Sequence, residues 1–181
     1  MNIRPTILSV IAAVGIAVSG VAPVGAQSGD APHERAWLAA HNAERAEFGV
    51  VPLRWNPDLA SEAAVWAMNL ARENVLRHAS VQERSGRGEN LWMGTAGYYS
   101  PADMISHFAS EKQYFRAGQF PNVSHTGNWA DVGHYTQIVW AETREVGCAA
   151  VRNQYSDVLV CRYWPAGNIR GTVIAPTQTR R

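Results

Sequence analysis

Gly133-His134-Tyr135-Thr136-Gln137-Ile138-Val139-Trp140 is the stretch on which the reading of this chain turns. It sets a histidine, two neutral hydrogen-bonding side chains and an aromatic anchor against a short apolar run. Such a cluster, tied directly to apolar residues, describes a buried or half-buried polar site, because polar groups withdrawn from water keep hydrogen-bond partners. The ionisable partners of His134 must come from elsewhere in the chain.

Downstream of the octet, residues 146–151 and 158–163 are rich in β-formers and are separated by the polar stretch 152–157. That pattern predicts an antiparallel hairpin. Cys148 and Cys161 fall on its two arms. Two readings are open for them: a disulfide across the hairpin, which an oxidising compartment favours, or two buried free thiols.

The compartment is suggested by the start of the chain. Arg4 is followed by an apolar stretch over residues 7–18 and then by Val24-Gly25-Ala26, small residues suited to cleavage. This reads as an export signal over residues 1–26, and the apolar run is shorter than the ~20 residues of a membrane-spanning helix. The expected location is secreted or periplasmic, with no integral membrane segment after cleavage. Removing the signal takes Arg4 with it and brings the formal charge of +1 to about zero. The remaining chain of about 155 residues is one domain's worth. It carries no basic stripe of the kind that binds nucleic acid.

Between the signal and the octet the sequence is helical. Residues 27–35 read as a flexible entry, with Pro32 near a first helical turn, followed by a helix carrying Trp37, Leu38, His41 and Phe48 and stopped by Gly49. His41 and Asn42 could line a site or sit in the core with partners; the second is the commoner fate of buried polar groups. Asn56-Pro57-Asp58 starts a second helix, whose stripe Leu59, Ala63, Trp66 and Leu70 faces a core. Residues 89–93 suit a strand or tight connection, and Ser100-Pro101 opens a third helix expected to run through Phe115. Residues 116–131 show no period and read as a long loop, with Tyr114, Phe115, Phe120 and Trp129 as candidate apolar contacts or simple anchors. Helices first and strands late predict an α+β layered domain over residues 36–175, followed by a polar tail at 176–181.

Two stretches of the chain carry a family resemblance. The octet, together with Cys161-Arg162-Tyr163-Trp164-Pro165-Ala166-Gly167-Asn168, resembles the two signatures of the CAP superfamily. That secreted fold is shared by cysteine-rich secretory proteins, insect venom antigens and plant pathogenesis-related proteins. His41-Asn42 with Arg45, Trp66-Ala67 and Gly88-Glu89-Asn90-Leu91 resemble its upstream pattern, so the likeness spans the mature chain. The resemblance implies a three-layer α-β-α sandwich with a small antiparallel sheet. It also implies a central tetrad of two histidines and two glutamates, which falls on His78, Glu89, Glu111 and His134, with Phe108 where the family usually has tryptophan.

Two imidazoles and two carboxylates form a ligand set acceptable to zinc or another divalent cation. The alternative is a metal-free cluster of His–Glu pairs. His107, four residues before Glu111, is a rival donor that would share its helical face. The resemblance implies an exported binding module with a His/Glu cleft and a possible lipid, sterol or protein partner. A metal-assisted hydrolase using the same cluster is the alternative, with Glu89 or Glu111 as base. A third reading is an interaction protein in which the tetrad only stabilises the fold.

Overall fold

The computed structural model describes residues 31–176. The expected export signal and all but the first residue of the polar tail lie outside the described residues. Helix α1, Ala31–Phe48, has Pro32 in its first turn and ends at Gly49, whose φ of 83° suits a residue without a Cβ. It takes in residues 31–35, which the sequence suggested as a flexible entry. Strand β1, Arg54–Trp55, leads into α2, Pro57–Glu73. The Asn56 side chain caps α2 by accepting from the backbone N–H groups of Asp58 and Leu59 at 2.9 and 3.2 Å.

Strand β2 is Gly88–Thr95 and α3 is Pro101–Ala109, opened by a capping box between Ser100 and Asp103. The third helix departs from expectation here. After Ala109 the chain tightens into a 3-10 helix, Ser110–Tyr114, and Phe115 is extended. The tighter turn breaks the four-residue repeat that would have put His107 and Glu111 on one face. The expected loop at 116–131 also holds structure. Strand β3, Gly118–Gln119, pairs with β6, Val173–Ile174, and a 3-10 turn spans Trp129–Val132. Two-residue strands are too short to leave a period in sequence.

The octet begins a short helix, α4, Gly133–Ile138. Strands β4, Glu145–Arg152, and β5, Ser156–Trp164, form the expected hairpin, with Cys148 directly opposite Cys161 and the two joined by a disulfide. The main sheet has the order β1-β4-β5-β2. It is antiparallel apart from β1, which runs parallel to β4.

Alternation along the strands divides the core into two layers. Leu91, Val158 and Val160 pack against Ala63, Trp66 and Leu70 of α2. On the other face Trp92, Cys148, Leu159, Cys161 and Tyr163 pack with Trp37, Ile105, Phe108, Tyr135 and Ile138 from the remaining helices. The result is an α-β-α sandwich with α2 alone on one side. No described helix is long and apolar enough to cross a membrane.

Candidate functional site

Glu89 stands at the start of edge strand β2, and its side chain is fully buried. By alternation from Leu91 it lies on the α2 face. Its Oε1 accepts from the Ala79 backbone N–H at 3.1 Å and lies 2.6 Å from Nδ1 of His78. Its Oε2 sits 2.7 Å from Nη1 of Arg162, a guanidinium that is itself buried. This contact is an ion pair without hydrogen-bond alignment, since neither atom finds a well-directed partner. Burial pulls the Arg162 pKa down, and the negative charge of Glu89 opposes that pull.

The second pair belongs to the opposite layer. The 3-10 turn carries the carboxylate of Glu111 to the first turn of α4, where Oε2 accepts from the backbone N–H groups of His134 and Tyr135 at 2.8 and 3.1 Å. Its Oε1 lies 2.6 Å from Nδ1 of His134. Phe108 stacks on the His134 ring, with centroids 4.8 Å apart and planes inclined by 21°. The Asn90 side chain donates to the His134 carbonyl at 3.1 Å, and Asn168 donates to that of Gly133 at 2.9 Å. Gln137 accepts from the Gly167 N–H at 2.9 Å and donates to the Thr143 hydroxyl at 3.3 Å. A Cβ at Gly88 would strike the Gln137 side chain, and one at Gly167 would strike both Gln137 and Trp140, so either would displace the Gln137 amide.

The four expected residues therefore form two His–Glu pairs flanking one cleft of about 460 Å3, to whose lining His78, Glu89 and His134 contribute together with Trp129. A carboxylate only accepts, so Nδ1 is the protonated nitrogen in each imidazole. Each Nε2 is left without a protein hydrogen-bond partner among the described residues. The four side chains do not converge on one point. Among the described residues, the group of three His, Cys, Asp or Glu whose ligand atoms lie within 4.8 Å of one another is His41, Cys148 and Cys161. That group is not a metal site, since both sulfurs are spent in the disulfide and both His41 nitrogens are hydrogen-bonded.

The remaining candidates separate cleanly. His107 packs beside Trp92 and Tyr99, apart from the cleft. Phe115 packs on Phe48 and Tyr135, and Phe120 on Trp140; both are anchors. Trp129, 44% exposed, is the loop aromatic that reaches the cleft. Sequence reasoning assigned no role to Arg162. The available signal was a charged residue between Cys161 and Tyr163, which alternation sends to the face of Glu89.

Residues 38–163 match the family model described as the cysteine-rich secretory protein family. The chain belongs to this family. Among members of the cysteine-rich secretory protein family, it is 39% identical to pathogenesis-related protein 1A of Nicotiana tabacum over 137 residues, which span 75% of this chain and 76% of that protein. It is 33% identical to pathogenesis-related protein PRMS of Zea mays over 138 residues, 75% of this chain and 78% of the relative. The fold is shared with NaASP2 solved with Zn2+, at a TM-score of 0.67 and 24% identity, covering 86% of this chain and 90% of that one. It is likewise shared with BmVAL-1, at a TM-score of 0.68 and 20% identity, covering 84% and 85%.

Proposed function

We propose that this chain is an exported binding module whose cleft takes a divalent cation of the zinc class on Nε2 of His78 and Nε2 of His134. One observation carries the reading. Both imidazoles give Nδ1 to a carboxylate and line the same cleft with Nε2 uncommitted. A carboxylate behind a histidine fixes its tautomer and orientation for a metal on the far nitrogen, so Glu89 and Glu111 act as orienting partners rather than ligands. Bound there, the cation supplies Lewis acidity toward an oxygen of a docked ligand. The fold relative solved with Zn2+ is in keeping with this chemistry. The export signal read at residues 1–26 and the disulfide support a secreted or periplasmic setting. A lipid or sterol would find Trp129 at the cleft as its apolar contact.

Binding is favoured over hydrolysis by the state of the two glutamates. A general base needs a carboxylate free to take a proton from water. All four oxygens of Glu89 and Glu111 already accept hydrogen bonds or face a guanidinium. Calorimetric titration with zinc is expected to show saturable binding that His78→Ala or His134→Ala abolishes. Undiminished zinc binding in the two variants would overturn the assignment.

A further inference from the structure

The cleft has one cationic side chain that no carboxylate pairs among the described residues. Its amides are satisfied internally: Asn90 by the His134 carbonyl and the Tyr163 hydroxyl, Gln137 by Gly167 and Thr143, Asn168 by Gly133 and Thr136. Arg84 also lines the cleft. Its Nη1 donates to the Arg87 carbonyl at 2.8 Å, while its Nε is buried with no partner. Arg87 and Arg162 also bury an Nε without a partner, but each of them faces a carboxylate. Arg87 faces Glu62 at 3.4 Å and Arg162 faces Glu89 at 2.7 Å, whereas no carboxylate pairs with Arg84 among the described residues. Arg84 lies near enough to Arg162 to oppose its charge, while Glu89, Glu62 and Glu83 act on Arg162 in the opposite sense.

A half-buried guanidinium with no carboxylate beside it gains from an anionic acceptor that reaches its outer nitrogens. The acceptor that best matches its planar fork is an oxyanion, which can take two parallel charge-assisted bonds. We propose that Arg84 makes this cleft a receptor for the phosphate or carboxylate group of a ligand, held on the wall that also carries His78. The inference rests on reading the cleft as a binding site and requires no bound cation. The ligand is acidic at one end, and Trp129 offers an aromatic surface for the rest of it.

The test is an NMR titration of the metal-free protein with inorganic phosphate, in EDTA and at fixed ionic strength, following the backbone amides of Gly88, Gly133 and Gly167. Saturable shifts are expected in the wild type. In Arg84→Gln the half-saturation concentration should rise by roughly tenfold or more, and Arg84→Lys should fall between. Thermal unfolding of each variant confirms an intact fold, and Arg84→Lys serves alone if the Gln variant does not fold. Shifts that never saturate, or a half-saturation unchanged in Arg84→Gln, overturn the proposal.

A second arm uses phosphatidylcholine vesicles doped with phosphatidic acid. Co-sedimentation lost in Arg84→Gln supports the proposal and puts the oxyanion on a lipid. Saturable phosphate binding without co-sedimentation supports it and puts the oxyanion on a small soluble ligand. Because the titration is metal-free, its failure is distinct from a failure of zinc to bind the two histidines.

Discussion

Nε2 of His41 in α1 lies 2.7 Å from the hydroxyl of Tyr163 in β5, deep in the core. With Nδ1 donating to the Trp37 carbonyl, Nε2 is the acceptor and the tyrosine donates to it. The same hydroxyl accepts from Asn90, whose amide also holds the His134 carbonyl, so one chain of hydrogen bonds runs from α1 through the sheet to α4. Burial pushes the His41 pKa from 6.5 down to about 4. The unfolded chain takes up this proton below about pH 6.5 while the folded chain resists until about pH 4, so stability falls with pH across that window. Denaturant unfolding is expected to show a loss of roughly 3 kcal/mol between pH 7 and pH 4 from this group. His41→Gln should flatten that slope.

Arg45 holds four main-chain carbonyls: Val51 and Ile138 at 2.7 Å, Trp140 at 2.8 Å and Thr143 at 3.1 Å. Burial lowers its pKa to about 10, which leaves it charged at neutral pH. Lysine keeps the charge but lacks the planar fork that reaches both sides of this cage. Arg45→Lys should cost about 3 kcal/mol in chemical denaturation, against near neutrality for Arg72→Lys on the exposed side of α2.

The approach of α2 to the sheet is set at Gly147, where a Cβ would run into the backbone of Asn56 and Ala60. Backbone atoms at a helix start cannot step aside as a flexible side chain can. Gly147→Ala is therefore expected to destabilise the protein by about 1–3 kcal/mol, measured by thermal melting. Ala102→Ser, at an exposed position of α3, is the control and should change stability by no more than about 0.5 kcal/mol.

Glu111 accepts two backbone N–H groups with one oxygen and faces an imidazole with the other. The amide of Glu111→Gln keeps its oxygen on the two backbone N–H groups only by turning its NH2 toward Nδ1, which moves the ring proton to Nε2, the nitrogen a cation needs. Zinc affinity measured by calorimetry should drop about 10- to 100-fold while the fold is retained. An unchanged affinity would mean that the carboxylate does not orient His134.

Much of this was legible where the signal is local. The Asn56-Pro57-Asp58 cap and the alternating arms around Cys148 and Cys161 are written within a few residues each, and they appear as read. Strands β1, β3 and β6 left no trace, because two residues cannot display a period. The turn at Ser110–Tyr114 reads as a continuation of α3 in sequence, since an α-helix and a 3-10 helix share composition and differ in pitch. At the site, motif resemblance brought His78, Glu89, Glu111 and His134 together, but not their roles. That each glutamate serves a ring nitrogen and the main chain at once depends on Ala79 and Tyr135, whose N–H groups carry no side-chain signature.

The double duty of the two glutamates separates architecture from chemistry. Each is bonded into the backbone of a neighbouring segment, whereas the histidines hang from those carboxylates by a single ring atom. A descendant of this chain could lose either imidazole and still assemble the same framework, but replacing a glutamate would loosen the framework itself. Across diverging copies of such a protein, the acidic pair should outlast the basic one, and the presence of the acids alone would say nothing about whether the site still binds.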